Sequence, residues 1–375
     1  MRHGPGGGVS VISNETIVWM SRVGSQSLMI RLPAPAKLNL YLRVLGRRSD
    51  GYHEIETIFE RIDLADELTF EPADALTLTC SDSSLSCGEG NLVFQAAQLL
   101  QRETHTAAGA RIHLEKRIPV AAGLGGGSSD AATALLGLNQ LWNVALDRRR
   151  LIELAARLGS DVPCFLSPEP FAAGRGRGER CEPLAASARL AHVLVVPPER
   201  LSTKAVYEGA HFDPSTRAQG RILSEVDGFD LTARTPSLTM VTHALRNGSL
   251  GELADGLWND LEPEAIRRCP VIATIQAHLR EQGCLGVLVS GSGSAVFGLC
   301  TDVAQAHEVA ARLLAALRPV MGSAAQAESR SRAPNAWWID AVQTEQPSRV
   351  ATPAIPSVGA VSPAIAQGGE TSGGS

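Results

Sequence analysis

Pro119-Val-Ala-Ala-Gly-Leu-Gly-Gly-Gly-Ser-Ser129 is the stretch on which the reading of this chain turns. Before it, Ala110 to Leu114 alternates as a strand; after it, Ala131, Leu135, Leu138 and Leu141 recur at helical spacing. Glycines between a strand and a helix have a physical use, because backbone without Cβ atoms closes around an oxyanion and aims successive N–H groups at it. The helix start adds partial positive charge. Pro119, Val120, Ala121, Ala122, Gly123, Leu124, Gly125, Gly126, Gly127, Ser128 and Ser129 are therefore candidate phosphate-binding residues, with the two serines capping the helix or touching a phosphate or its Mg²⁺. The G-x-x-x-x-G-K-[ST] loop is excluded, since no Gly-Lys pair occurs in the chain. A dinucleotide fingerprint fails too, because its third glycine would have to be Ser128.

Outward from that loop, 375 residues with 44% hydrophobic content predict two domains of ordinary size. A net charge of -5 and three tyrosines give neither a basic field nor a stacking surface for nucleic acid, so a small-molecule substrate is expected. No apolar run reaches the roughly 18 residues of a spanning helix. Seven scattered cysteines without a C-x-x-C pair read as free thiols in a reducing cytoplasm. A monomer or weak homodimer is expected. Only Lys37, Lys116 and Lys204 are lysines among 34 basic residues, and where arginine is the rule a lysine marks a need for a compact ammonium.

Leu28 to Val44 reads as a strand placing Lys37 and Asn39 on one face, and Glu54 to Phe70 as further strands broken at Asp66. Helices are predicted over Asn91–Arg102, from the glycines through Trp142, and from Asp147 to a stop at Gly159. Gly174 to Gly178 reads as a tight connection. His192 to Val196 is a strand that opens a second domain, with helices near Thr203–Gly209 and Leu238–Asp260, a strand Leu285–Val289, a helix Ala304–Leu317 and a last strand Trp337–Val342. Residues 1–28 read as a flexible leader or as sequence upstream of a later start, and residues 344–375 as a disordered, dispensable tail.

Phosphoryl transfer to an alcohol requires a carboxylate for the hydroxyl proton and positive charge near the moving phosphate, for which Asp161 and Lys37 are the candidates. Each has a plain alternative: Asp161, followed by Pro163, could be a helix cap, and Lys37 a solvated edge residue. Ser290-Gly291-Ser292-Gly293-Ser294 is either a strand turn or a second backbone wall beside the first loop. His53 lacks metal-ligand spacing to other histidines, which favours a hydrogen-bonding role.

Taken together, Pro35-Ala36-Lys37-Leu38-Asn39-Leu40, Asp50-Gly51-Tyr52-His53-Glu54, the glycine loop, Gly159-Ser160-Asp161-Val162-Pro163, Gly174 to Glu179, Asn259-Asp260-Leu261-Glu262 and Ser290 to Ala295 resemble the GHMP kinase superfamily, from Pro33 to Val342. The first two segments set the chain apart from mevalonate, homoserine and galactose kinases. The resemblance implies an α+β, two-domain GHMP kinase fold: a ribosomal-protein-S5-like glycine-loop domain over 29–188 and a ferredoxin-like substrate domain over 189–343, with the active site between them. It implies ATP as donor, with Mg²⁺, and as acceptor the 2-hydroxyl of 4-diphosphocytidyl-2-C-methyl-D-erythritol, in the non-mevalonate route to isoprenoid precursors. By the same resemblance Asp161 is the base and Lys37 lies by the acceptor and the transferred phosphate. Asn39, His53 and Thr203 contact the substrate, and Tyr52 and Tyr207 sandwich its cytosine. The metal ligands are not specified by it.

Overall fold

The computed structural model describes residues 29–210, 236–321 and 336–346. The leader 1–28, the stretch from Glu328 to Arg332 and the tail beyond residue 346 lie outside the described residues.

Two long antiparallel strands, β1 (Ile30–Arg47) and β2 (His53–Ala73), form the spine of the first sheet. The expected break at Asp66 does not occur: β2 runs through it, with Ala34 opposite Asp66. The aspartate is tolerated there because its buried carboxylate accepts from the Ile118 N–H at 2.8 Å and from Lys116. β3 (Thr77–Cys80) and β4 (Gly109–Glu115) extend the sheet beside the second half of β2, and the hairpin β5 (Phe171–Gly176) and β6 (Arg180–Leu184) pairs with its first half. Gly174 to Gly176 thus belong to a strand, and the tight connection is confined to the residues after them. α1 (Leu92–Thr104), α2 (Gly126–Leu141) and α3 (Arg148–Leu158) cover one face, burying Leu100, Leu135, Leu138 and Leu154 against Ile30, Leu68, Phe70 and Ile112. Fully burying one such side chain contributes roughly 1.5–3 kcal/mol.

The second sheet contains β7 (Ala191–Val196), β9 (Gly286–Val289), β10 (Val296–Cys300) and β11 (Trp338–Gln343), in the order β11-β7-β10-β9. Between β7 and β9 the described residues form α4 (Thr203–Gly209), α5 (Leu238–Asn247), α6 (Leu250–Gly256), the short β8 (Trp258–Asn259), α7 (Glu262–Arg268) and α8 (Val271–Glu281); α9 (Val303–Met321) joins β10 to β11. Numbered along the chain, the sheet runs 4-1-3-2 with all neighbours antiparallel, which is ferredoxin-like. The helices α7 to α9 bury Ala265, Ile272, Ile275 and Leu313 on one face of it. Its other face meets the first sheet, where Leu38, Leu40 and Ile58 pack with Leu194, Phe297 and Leu299. β1 therefore alternates only near its start and is then buried on both sides.

The boundary expected between 188 and 189 falls just before β7, yet β8 returns to the first sheet and pairs parallel with Tyr41 and Leu42. The cysteine reading needs correction at one pair. The β5–β6 hairpin folds over the 3₁₀ turn Val162–Leu166 and joins Cys164 to Cys181 as a disulfide, with Cα atoms 5.4 Å apart, while Cys80, Cys87, Cys269, Cys284 and Cys300 are free.

The expected disordered tail begins too early as well. Thr344 is buried: it accepts from the Leu190 N–H and donates to Glu60 Oε1, both at 2.7 Å. Glu60 in turn faces His192 Nε2 at 2.8 Å, both side chains fully buried, and Glu345 pairs with Arg61 at 2.6 Å. This strap fastens the end of β11 to β2. Thr344→Val, which leaves the Leu190 N–H and one Glu60 oxygen without that partner, should lower the unfolding free energy by about 2–3 kcal/mol in urea titration. A change below about 0.5 kcal/mol, the size of an ordinary surface substitution, would show that the strap carries no stability.

Candidate active site

β1 carries Lys37 and Asn39 inside its doubly buried run, 4% and 2% exposed. Polar groups so placed must be satisfied locally. Asn39 donates to Thr57 Oγ1 at 2.8 Å, Thr57 donates to the Tyr41 carbonyl at 2.6 Å, and Lys37 Nζ donates to Asn39 Oδ1 and, at 2.6 Å, to the Gly123 carbonyl. Lys37 is thus an interior residue bound to the glycine loop, and the solvated-edge alternative fails. Burial lowers the pKa of its ammonium, and the charge of Asp161 opposes that shift.

Three successive carbonyls of the loop are taken by protein donors. Ala122 O receives the Ala295 N–H at 3.0 Å, Gly123 O receives Lys37 and the Ser290 hydroxyl at 3.1 Å, and Leu124 O receives the Lys37 N–H at 3.0 Å. With its carbonyls turned into the protein, the loop has its N–H groups left for the cavity side. α2 begins at Gly126 with Gly125 as an N-cap that has no side chain to offer, so the caps expected of Ser128 and Ser129 are not made. An uncapped helix start without an acidic residue in its first turn suits an external anion. Gly123 is required by its surroundings, because at φ +80° a Cβ would lie 2.2 Å from the Ser290 carbonyl oxygen. Ser290 to Ser294 is thus both things at once: the turn between the antiparallel strands β9 and β10, and the second wall beside the first loop.

Lys116 lies under the start of α2. Its ammonium bridges Asp66 and Asp130, the latter at 2.9 Å, and all three side chains are at most 7% exposed. Burial alone would lower the ammonium pKa, but the two carboxylates outweigh it and raise it. Asp66 also takes backbone N–H bonds from Arg117 and Ile118. Asp130 has fewer partners, and Oδ1 finds none in the protein. Burial pushes its carboxyl up to about 8, against the pull of Lys116. Sequence reading missed this pair of acids because nothing in their spacing signals that β2 and α2 meet.

Asp161 sits at the cap position of the 3₁₀ turn, but its side chain makes no capping bond. That disposes of the cap alternative and leaves the carboxylate on the cavity wall. The cavity holds about 1280 Å³, more than a single small ligand fills, and runs between the two domains. Lys37, Asn39, Tyr52, His53, Asp161, Thr203 and Tyr207 line it together with Pro119 to Ser128. Ser129 is the exception: fully buried in α2, it does not reach the cavity, and its hydroxyl has no partner.

The ring stacked on Tyr207 is His53, with centroids 5.2 Å apart, and Tyr52 carries the Arg177 guanidinium 4.8 Å from its ring centre. Burial, with Asp161 and Asp260 nearby, pushes the Tyr207 phenol well above its usual range. Burial and Arg47 lower the pKa of His53. Arg177 and Arg47 line the cavity too and were not singled out by sequence, since arginine is the rule in this chain. Thr203 Oγ1 lies 2.9 Å from Ser292 Oγ, which joins α4 to the second wall.

The description "GHMP kinases N terminal domain" matches residues 91–168, and "GHMP kinases C terminal" matches 241–318. A 4-diphosphocytidyl-2-C-methyl-D-erythritol kinase of Pelotomaculum thermopropionicum is 43% identical over 76% of this chain and 94% of its own length. One of Salinibacter ruber is 41% identical over 73% and 91%. The chain belongs to this family of GHMP kinases. A crystal structure of 4-(cytidine 5'-diphospho)-2C-methyl-D-erythritol kinase superposes with TM-score 0.63 at 36% identity, covering 84% of this chain and all of that one. A homoserine kinase from Cytophaga hutchinsonii, at 16% identity and TM-score 0.62, shares the fold, with 87% and 96% covered.

A raised carboxyl pKa stabilises the fold most at low pH, and that stability is lost as pH rises from the unfolded value of 3.8 through the folded value near 8. Asp130→Asn should therefore gain on the wild type across that window. In urea titrations at pH 5, 6, 7 and 8 the difference in unfolding free energy, variant minus wild type, should grow with pH. A difference that stays flat from pH 5 to 8 would mean that Asp130 is already ionised in the folded protein.

Proposed function

We propose that this protein transfers the γ-phosphoryl group of ATP to the 2-hydroxyl of 4-diphosphocytidyl-2-C-methyl-D-erythritol, with Asp161 receiving the hydroxyl proton and Lys37 beside the transferred phosphate. The observation that carries the reading is the meeting in one cavity of an uncapped Asp161 carboxylate, a buried Lys37 ammonium and the free helix start behind the glycine loop. The names of the relatives over nearly their whole length support the acceptor. A cavity roomy enough for two nucleotide-bearing ligands agrees with a donor and an acceptor of that size.

In this reading the loop N–H groups and the α2 dipole hold the donor phosphates, so that little charge has to reorganise as the phosphoryl group moves. The acceptor oxygen attacks the γ-phosphorus, the bond to the β-phosphate oxygen breaks, and the hydroxyl proton goes to Asp161. Lys37 faces the charge on the moving group, and its bond to Gly123 O keeps it in register with the loop. His53, Tyr207, Tyr52, Asn39 and Thr203 form the acceptor half, with aromatic faces suited to a flat base. Mg²⁺ would screen the phosphate charge. Among the described residues no three or more His, Cys, Asp or Glu side chains are grouped to hold a metal ion, and Ser128, on the cavity wall at the start of α2, is the side chain that would touch one carried by the phosphates. Among the described residues no helix is long and apolar enough to cross a membrane, and the five free thiols favour a cytoplasmic location, although the Cys164–Cys181 disulfide is more usual in an oxidising compartment.

Asp161→Asn should leave ATP affinity nearly unchanged and lower turnover by at least about a hundredfold, the lower end for loss of a positioned base. Near-normal turnover would remove Asp161 from that role. In the same ADP-release assay the wild type should accept the diphosphocytidyl substrate and not homoserine or mevalonate; the reverse pattern would end the substrate reading.

A further inference from the structure

We infer that Asn259 is a positioning residue for phosphoryl transfer, fixing the Ser290–Ser292 turn of the second domain against the Lys37 ammonium. The inference rests on Lys37 acting at the transferred phosphate.

Asn259 is 5% exposed, and both N–H donors of its amide are directed at the carbonyls that open the turn. Its Nδ2 donates to the carbonyls of Val289, at 2.8 Å, and Gly291, at 2.7 Å, while Oδ1 accepts the Leu261 N–H at 2.9 Å. The residue is itself fixed to the first sheet: it lies in β8, opposite Leu42 of β1, and the next N–H, that of Asp260, bonds the Leu42 carbonyl at 2.9 Å. One amide therefore joins the strand that carries Lys37 to the wall that faces Lys37.

The wall is in close contact. At Gly291, held at φ +56°, a Cβ would lie 3.1 Å from Lys37 Nζ, 3.2 Å from Asn39 Oδ1 and 3.2 Å from the Gly123 carbonyl oxygen. One residue earlier, the Ser290 hydroxyl bonds that same carbonyl at 3.1 Å. The position of the Gly291 peptide thus limits where the ammonium and the loop carbonyl can sit, and the Asn259 amide sets that peptide. Nothing else among the described residues donates a hydrogen bond to the Gly291 carbonyl. Misplacement of a reacting group by about 1 Å costs on the order of a hundredfold in rate.

The test uses the full chain with ATP, Mg²⁺ and the acceptor. Asn259→Asp keeps the oxygen that accepts from Leu261 and loses the donor to the two carbonyls; Asn259→Ala loses both. For each, competent sites are counted by titration with a non-hydrolysable ATP analogue, and kcat is expressed per competent site. Both variants should show kcat per site lower by about 10–100-fold, with KM for ATP changed by less than about threefold, since donor binding belongs to the loop. A merely structural role would reduce the number of competent sites and leave kcat per site within about twofold of wild type, and that result would overturn the inference. Should neither variant fold, Ser290→Ala cuts the same link at its other end, and an unchanged kcat per site in that variant would overturn it equally. If the wild type fails to phosphorylate the acceptor, the substrate reading fails alone, and the Asn259 comparison is made with whichever of homoserine and mevalonate the wild type does phosphorylate.

Discussion

A primary ammonium buried at 4% exposure needs oxygens close by, and Lys37 finds them in Asn39 and in the Gly123 carbonyl. The second of these bonds fixes much of the site. It draws the glycine loop onto β1, commits a loop carbonyl to the protein interior, and leaves the loop's N–H groups for an anion. Burying a charge is costly unless it is paired and hydrogen-bonded. The arrangement persists because β1 is covered on both faces, by the helices of one domain and the sheet of the other, and because Asp161 supplies opposite charge across the cavity.

That dependence explains why the domains are interwoven. A clean boundary before β7 would leave the glycine loop with one wall. Instead β8 returns to β1, Ser290 and Ala295 take two of the loop's carbonyls, and Thr344 with Glu345 fastens the end of β11 to β2. Each of these links is a hydrogen bond or ion pair at a buried position, where a missing partner costs more than the bond itself contributes. The interface resists sliding for that reason, which suits a site whose reacting groups come from both sides.

The glycine loop, the strand before it and the helix after it could be read from sequence, because backbone freedom and apolar periodicity are local properties. The two-domain order and most elements followed in the same way. Lys37 and Asp161 could be singled out, though only with two readings each; setting aside the solvated edge and the helix cap required knowing that β1 is covered on both faces and that the Asp161 side chain caps nothing. What sequence could not show depends on distant contacts. Asp66 looks like a strand breaker until Lys116 and the Ile118 N–H are placed beside it. Ser129 looks like a phosphate ligand until the helix turns its hydroxyl inward. Cys164 and Cys181 show no pairing signal until a hairpin folds over a turn, and Thr344 reads as tail until Glu60 is found waiting for it.

The two halves of the cavity are built on different principles. Beneath the proposed donor half, Lys116, Asp66 and Asp130 form a buried polar set supplied entirely by the first domain, which fixes the start of α2, whereas the loop itself also takes bonds from Ala295 and Ser290 of the second. The half proposed for the acceptor is a composite: His53 comes from β2, Tyr207 and Thr203 from α4, and the wall behind Lys37 from the Ser290–Ser292 turn held by Asn259. In the proposed reading the groups that align an attacking oxygen are completed only across the interface, which favours transfer to a bound acceptor over transfer to water.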